Sequence, residues 1–254
     1  DYWSLQGAAR HVISAFEIAL QDAKGKSLGV PVYDLLGGAK VDSIAIYGSG
    51  GCCDAKEQFQ RELELLDSKG IKLYKIRSVK RDLYRTAWAL NESAKHGVKV
   101  GVDMCQNLAD PPQAVGDVVN FVEAVHQLTP HRMIFLEEAV GPDAPEGFKE
   151  LRSRIDVPVY GGEIITTPKE MITRMEMGAY DTVQPDASVI GGISAVMDIF
   201  EAGKRTNTGV VVHAWGGAAA IMASYHAAFA AGGSLVEFPM LYFPLGEGMI
   251  ADQG

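Results

Sequence analysis

Residues 133–137 read Met-Ile-Phe-Leu-Glu, a short apolar run that ends in an acidic residue. Similar runs, rich in Val and Ile, recur along the chain, and helical patterns of about 10 to 17 residues separate them. Short apolar strands that alternate with helices are typical of βαβ units and of a parallel sheet. The sequence therefore predicts an α/β fold built around such a sheet.

Eight strands follow from this pattern, with a helix between each pair and one further helix before the first strand. The strands are predicted at residues 43–47, 72–76, 99–102, 133–136, 157–160, 182–184, 210–212 and 235–238. The helices are predicted at residues 5–28, 54–69, 81–96, 112–127, 145–154, 168–177, 192–206 and 216–231. No linker divides the 254 residues, and an α/β barrel typically takes about 250. We therefore expect a single barrel domain over residues 1–254, with a leading helix and connection at 1–40 and the barrel at 41–254.

The overall composition argues against several classes of protein. The chain is 47% hydrophobic and 22% charged, as ordinary globular proteins are. Its net charge of −9 provides no basic surface for nucleic acid or an anionic membrane, so we expect neither partner. Three cysteines cannot form a disulfide framework, and the N-terminus does not resemble a signal peptide, which favours a cytoplasmic location. The uncharged stretch 214–236 is rich in Gly, Ala and Ser, so we expect a helix packed against a sheet there rather than a membrane span.

Ionisable residues lie at the C-terminal ends of seven successive predicted strands, about one βα unit apart. In a closed parallel barrel these ends converge on one mouth, where barrel enzymes carry their catalytic residues. A single acid at a strand end is usually a solvated cap, whereas seven ionisable ends in register favour an active site. The residues are Lys75 and Arg77 on one strand, then Asp103, Glu137, Glu163, Asp186, His213 and Glu237.

Three of these residues suggest a metal site. Asp103, Glu137 and Glu163 end neighbouring strands, and three carboxylates that face one point repel each other unless a cation holds them. Mg²⁺ prefers oxygen ligands and leaves positions for water or substrate, whereas the alternative is a set of unrelated surface acids. Lys75 and Arg77 are two residues apart, so both face the barrel interior, either to bind an anionic substrate or as part of a structural ion pair.

A second pair suggests a general base. Asp186 and His213 end adjacent strands, and a carboxylate beside an imidazole fixes its tautomer and raises its basicity. The alternative for His213 is a core histidine with its hydrogen bonds satisfied. Glu237 lies across the mouth, where a carboxylic acid could donate a hydrogen bond to a substrate carboxylate; a plain strand cap is the alternative.

Several motifs together resemble the enolase superfamily, in particular the mandelate racemase subgroup of the mandelate racemase and muconate lactonizing enzyme family. The resemblance implies a TIM-type (β/α)7β barrel, Mg²⁺ ligands at Asp103, Glu137 and Glu163, and a His-Asp dyad at His213 and Asp186. It also implies that Lys75 is the first lysine of a Lys-x-Lys motif and that Glu237 is the acid of the last strand. The motifs are residues 14–38, Val102-Asp103, Leu136-Glu137-Glu138, Gly162-Glu163, Gln184-Pro185-Asp186 with Gly191-Gly192, and Val212-His213.

The chain departs from the family pattern at three positions, and one domain of the family is not expected in it. Arg77 replaces the second lysine, Ala139 replaces a proline, and Cys105 replaces an asparagine. Because arginine stays protonated, it is a poor base, and a two-base racemase is not expected. The family also has an N-terminal capping domain that closes the mouth, and we expect it to be absent from this chain.

The resemblance and the residues together imply abstraction of a proton α to a carboxylate. His213 would take the proton, while Mg²⁺ and Lys75 would stabilise the ene-diolate electrostatically. Because only one good base is present, we expect an acid-sugar dehydratase, a Mg²⁺-dependent lyase that eliminates water to form a 2-keto acid. The alternatives are a sugar-lactone cycloisomerase or a racemase/epimerase of the same superfamily, or a non-catalytic barrel relative. The expected partners are a sugar acid substrate and further copies of the chain in a homo-oligomer.

Overall fold

The computed structural model describes residues 5–52 and 55–240. The predicted helix start at residue 54 lies outside these ranges. Eight strands are present in the described part of the chain, as the sequence predicts. They are β1 (Ala45–Ser49), β2 (Leu73–Arg77), β3 (Lys99–Asp103), β4 (Leu136–Glu137), β5 (Val159–Gly161), β6 (Thr182–Val183), β7 (Gly209–Val210) and β8 (Leu235–Pro239).

Helices occupy the connections between these strands, and two short ones supplement the predicted set. In chain order they are α1 (Ala8–Leu28), α2 (Val32–Leu35), α3 (Lys56–Ser68), α4 (Leu83–Lys95), α5 (Val115–Leu128), α6 (Pro145–Arg154), α7 (Pro168–Glu176), α8 (Ala187–Ile190), α9 (Ile193–Thr206) and α10 (Ala218–Ala231).

All eight strands belong to one parallel sheet that curls into a barrel. The strand order is β7-β6-β5-β4-β3-β2-β1-β8, so β1 to β7 neighbour one another in chain order, and β8 lies beside β1. A parallel bridge between Val212 and Val236 joins the two edges. The predicted (β/α)7β barrel is confirmed. Within residues 5–52 and 55–240, no helix is both long enough and apolar enough to span a membrane.

Alternation along β2 divides its side chains between two environments. Tyr74 and Ile76 are buried in the layer between strands and helices, where the Tyr74 ring lies 5.6 Å from the ring of Phe59 in α3. Lys75 points the other way, into the barrel, and is completely buried. Arg77 follows it on the same face at the end of the strand. The period of two therefore places both cations where the sequence predicts them.

Aromatic rings fill the barrel interior. Tyr47, Phe135 and Val211 form one buried cluster. Phe135 stacks on Tyr160 with the ring centroids 4.5 Å apart and lies edge-on to Tyr47 at 5.8 Å. Gly101 of β3 leaves room for the Phe135 ring, because a Cβ at this position would overlap it. The barrel is therefore a packed core that supports the charged residues at its mouth.

The leading helix α1 is attached to the barrel by polar contacts. Arg10 donates to the carbonyl oxygens of Thr166 and Ile190, at 3.2 and 3.3 Å. Glu17 accepts from the backbone N–H of Ile193 at 2.8 Å and caps the start of α9. These contacts tie α1 to the loop after β5 and to the segment after β6, both of which border the barrel mouth.

Several predicted boundaries differ from the observed ones, among them the fourth strand, which is Leu136–Glu137 rather than 133–136, and two of the differences have a clear tertiary reason. Helix α5 begins at Val115 rather than at residue 112, because the backbone N–H of Gln113 donates to the side chain of Gln106 at 2.7 Å. The first strand is Ala45–Ser49 rather than 43–47, because its pairing with β8 sets its register. Neither contact is visible from local sequence.

The packing around Phe135 predicts that Gly101→Ala destabilises the barrel by about 1–3 kcal/mol, because the added methyl group overpacks the core. Urea unfolding followed by circular dichroism measures this change. Gly116→Ala is the matched control, since a Cβ there meets no atom within 4 Å and the site is helical. Equal stability of wild type and Gly101→Ala would contradict the interior packing described here.

Candidate active site

The eight predicted site residues lie together at the C-terminal end of the barrel. The sheet register pairs Arg77 with Asp103 and Asp103 with Glu137, so these three side chains begin at the same height on adjacent strands. In each of the eight residues, a side-chain nitrogen or carboxylate oxygen lies within 4.0 Å of an oppositely charged group of another residue in the set. The structure therefore brings the whole predicted set into one charged network.

Three carboxylates form the centre of this network. Asp103, Glu137 and Glu163 each direct one oxygen to a common point, and the three oxygens lie within 4.8 Å of one another. Asp103 and Glu137 are buried, whereas the side chain of Glu163 is 20% exposed. Three hard oxygen donors at this spacing fit a divalent cation such as Mg²⁺. The cluster could thus hold a metal ion.

A neighbouring hydrogen-bond donor orients each of the three carboxylates. Such donors restrict the rotation of a carboxylate and so help to hold the cluster in one arrangement. The three donor and acceptor pairs are the Cys105 backbone N to Asp103 Oδ1 at 2.8 Å, Gln184 Nε2 to Glu137 Oε2 at 2.7 Å, and Asn107 Nδ2 to Glu163 Oε1 at 2.6 Å.

Lys75 supplies a positive charge beneath the carboxylates. Its Nζ donates to Glu137 and forms an ion pair with Glu237 at 2.9 Å, and the side chain has no exposed surface. Burial alone would lower the pKa of Lys75, but the carboxylates of Glu137 and Glu237 raise it well above its usual value. Lys75 therefore remains a cation in the physiological pH range.

The two carboxylates beside Lys75 differ in their proton affinity. Burial raises the pKa of Glu137 to about 8, because the attraction of Lys75 is opposed by the nearby charge of Asp103. Burial acts on Glu237 in the same direction, but Lys75 and His213 lower its pKa to about 2. Glu237 is therefore anionic at neutral pH, and its Oε2 accepts from the backbone N–H of Ala214 at 3.0 Å.

His213 and Asp186 form a hydrogen-bonded dyad. His213 Nδ1 lies 2.7 Å from Asp186 Oδ2, and Asp186 is itself oriented by Ser188, whose backbone N–H donates to Oδ1 at 2.7 Å. His213 Nε2 lies 3.2 Å from Glu163 and 3.7 Å from Glu237. Burial alone would lower the pKa of His213, but Glu237, Asp186 and Glu163 raise it to about 10. A cation held by Glu163 would neutralise part of this negative charge. The pKa of His213 would then fall, so that the neutral imidazole could accept a proton.

Arg77 is held in place from three sides. Its Nη1 donates to the carbonyl oxygen of Gly50 at 3.0 Å, its guanidinium lies over the Trp215 ring at 4.5 Å, and its Nε is 3.9 Å from Asp103. Burial would lower the pKa of Arg77, but its electrostatic interactions with Cys52 and Asp103 raise it. Arg77 is therefore a permanent cation at the mouth.

Four neighbours of the site were not predicted from the sequence: Gln184, Asn107, Trp215 and Glu138. Gln184 lies two residues before Asp186, and strand alternation could have placed it on the interior face. Asn107 and Trp215 lie in loops, where the sequence contains no periodic signal that assigns them a direction. The role of Glu138 depends on contacts with other loops.

The chain belongs to the enolase C-terminal domain-like family, whose model matches residues 56–252. This match confirms the predicted family and agrees with the barrel fold.

Three known proteins illustrate this relationship. The chain is 27% identical to the D-gluconate dehydratase of Thermoproteus tenax over 202 residues, which are 74% of this chain and 39% of that protein. It is 30% identical to the D-galactonate dehydratase of Variovorax paradoxus (strain S110) over 197 residues, or 72% of this chain and 48% of that protein. The crystal structure of the 3,6-anhydro-D-galactonate cycloisomerase from Zobellia galactanivorans superposes with a TM-score of 0.85 at 24% identity, covering 96% of this chain and 68% of that one. The chain spans about half the length of the dehydratases that it matches.

The raised pKa of His213 predicts a pH-dependent stability in the metal-free protein. Because the folded pKa of about 10 exceeds the unfolded value of about 6.5, protonated His213 stabilises the fold fully below about pH 6.5. This contribution is lost as the pH rises towards 10. In urea unfolding with EDTA, the free energy of unfolding should fall more steeply between pH 6.5 and 10 in wild type than in His213→Asn. Identical slopes would contradict the charge environment described for His213.

Proposed function

We propose that residues 1–254 form one catalytic domain of an acid-sugar dehydratase, which uses Mg²⁺ to help remove the proton α to the substrate carboxylate. The observation that carries this proposal is the position of the His213 dyad against the three-carboxylate cluster, with Nε2 3.2 Å from Glu163. A base and a candidate metal site this close can act on adjacent atoms of one small substrate. When bound, Mg²⁺ would supply positive charge for the substrate carboxylate, held by Asp103, Glu137 and Glu163.

His213 is the proposed proton acceptor. Asp186 accepts from Nδ1, so Nε2, which faces Glu163 of the candidate metal site, is the nitrogen that would take the proton. Lys75 is an unsuitable base because its ion pairs with Glu137 and Glu237 keep it protonated. Among the predicted site residues, His213 is therefore the group best suited to take the α-proton.

The two cations have separate proposed roles. Lys75 is buried beneath Glu137 and Glu237, so it acts on the substrate through its charge rather than by contact. Arg77 is partly exposed at the mouth, where its planar guanidinium is suited to bind both oxygens of a carboxylate. Glu237 acts as an anion that positions Lys75 and His213.

Elimination of water completes the proposed reaction. His213 takes the α-proton, the electrons of that C–H bond form an ene-diolate, and the β-hydroxyl leaves. His213 Nε2 then returns its proton to the leaving hydroxyl, which departs as water, and the resulting enol tautomerises to a 2-keto acid. The D-gluconate and D-galactonate dehydratases that resemble this chain support a sugar acid as the substrate class.

The metal role predicts that Glu163→Gln weakens Mg²⁺ binding by at least about tenfold, because one anionic oxygen donor is lost. Isothermal titration calorimetry with MgCl₂ measures the affinity, and the thermal midpoint in EDTA shows that the fold persists. Glu123→Gln, on the exposed face of α5, removes the same charge far from the site and should leave the affinity unchanged. Unaltered Mg²⁺ binding in Glu163→Gln would refute the ligand assignment.

The base role predicts that His213→Asn lowers turnover of a sugar acid by about 10²–10⁴-fold, which is the usual contribution of a general base. Asp186→Asn should also cost orders of magnitude, because Nδ1 loses its carboxylate acceptor. The measurement is keto-acid formation from a library of sugar acids. His131→Asn, an exposed histidine away from the network, is the control. Retained activity in His213→Asn would transfer the base role elsewhere.

The permanent charge of Arg77 predicts proton exchange on one face of the substrate carbon only. In deuterated water, NMR should show exchange of the α-proton in one epimer, together with release of a 2-keto acid. Arg77→Lys should gain slow exchange of the opposite epimer, because lysine can lose a proton next to other cations. Deuterium that enters both epimers equally in wild type, with no keto acid, would favour a racemase over a dehydratase.

A further inference from the structure

Glu138 directly follows the proposed ligand Glu137, and its backbone is unusual. Its φ angle is +41°, in the left-handed region that glutamate rarely adopts. The residue is only 1% exposed, so a strained backbone and a carboxyl group are buried together. Such strain persists where surrounding contacts impose it, and it often marks a functional site.

Three hydrogen bonds connect Glu138 to the strands on both sides. Its backbone N–H donates to the carbonyl oxygen of Tyr160 on β5 at 3.2 Å, and its own carbonyl accepts from Gln106 N after β3 at 2.9 Å. Its side-chain Oε1 accepts from the backbone N–H of Gly162 at 2.5 Å. Glu138 therefore joins the loop after Asp103 to the turn before Glu163.

The turn at residues 161–162 is shaped around the Glu138 carboxyl group. Gly162 has a φ angle of +103°, which few residues other than glycine adopt. A Cβ on Gly161 would lie 3.1 Å from Glu138 Oε1 and 2.8 Å from the ring of Tyr180. This close approach sets the direction in which the chain leaves β5, and Glu163 is the next residue.

We propose that Glu138 is a positioning residue of the metal site, whose carboxyl oxygen fixes the Gly162 turn and so aims Glu163 at Asp103 and Glu137. The inference rests on the proposed function, because it assigns a role within the same metal site. It differs from a ligand role, since Glu138 acts through the backbone N–H of Gly162 and not by binding the cation.

Substitutions of Glu138 can separate its role as a hydrogen-bond acceptor from the role of its ionisable carboxyl group. Glu138 Oε2 has no hydrogen-bond partner within the part of the chain that the structure describes, so only Oε1 makes the proposed contact. Glu138→Gln keeps an oxygen acceptor and removes the ionisable carboxyl group. Glu138→Gly removes the side chain and suits the positive φ angle, while Glu138→Asn tolerates this φ angle but is one methylene too short to reach Gly162.

The experiment titrates the metal-free chain and its variants with MgCl₂ by calorimetry, with thermal unfolding in EDTA as the folding check. We expect Glu138→Gln to bind Mg²⁺ within about threefold of wild type, and Glu138→Gly and Glu138→Asn to bind about 10- to 100-fold more weakly. Glu62→Asn is the matched control, because Glu62 also accepts from a loop glycine, Gly51, at 2.8 Å but lies outside the carboxylate cluster. Its Mg²⁺ affinity should equal that of wild type.

The remaining outcomes contradict the proposal in distinct ways. Equal loss of affinity in all three Glu138 variants would show that the ionisable carboxyl group itself is required. Unchanged affinity in all three would show that the contact with Gly162 does not affect the metal site. If both Glu138→Gly and Glu138→Asn unfold, Glu138 is needed for the fold itself, and the positioning role is refuted. No Mg²⁺ binding to wild type would overturn the proposed function itself, and this result is distinguishable because it appears before any variant is compared.

Discussion

A single buried cation, Lys75, constrains the arrangement of the whole barrel mouth. A lysine with no exposed surface is very costly unless anions pair with it, and here Glu137 and Glu237 do so. These partners come from β4 and β8, which lie two strands away from β2 on either side. The ion pairs therefore cross the barrel interior and link β2 directly to β4 and β8. Backbone hydrogen bonds connect β2 to these two strands only indirectly, through β3 and β1.

The charges around this lysine do not balance, and the surplus explains how the metal cluster and the base are connected. Two cations, Lys75 and Arg77, face five carboxyl groups, those of Asp103, Glu137, Glu163, Asp186 and Glu237. Even with the pKa of Glu137 raised to about 8, negative charge is in excess at neutral pH. In the metal-free protein, a proton on His213 reduces this excess, which is why the pKa of His213 rises to about 10. A divalent cation would satisfy the same excess, so occupation of the cluster and release of the imidazole proton are linked.

The sequence predicted the barrel and the composition of this network well, because both depend on local patterns. The period of two placed Lys75 and Arg77 on one face, and the regular recurrence of strand ends identified the acids and His213. The sequence could not reveal contacts that depend on how loops meet. Glu138 occupies an unremarkable position beside a candidate ligand, and its importance follows only from its hydrogen bonds to Gly162 and Gln106. The start of α5 was misplaced for the same reason.

Arg77 limits the chemistry that the barrel mouth can perform. The Gly50 carbonyl, the Trp215 ring and Asp103 together hold its guanidinium at the end of β2, while His213 lies after β7, across the mouth. A reaction that inverts a carbon centre needs a proton acceptor on each face of the substrate. Here one side offers an imidazole with an oriented Nε2, and the other offers a permanent cation that can only attract negative charge. In the proposed reaction, this asymmetry would favour departure of a leaving group from the intermediate over its reprotonation from the second face.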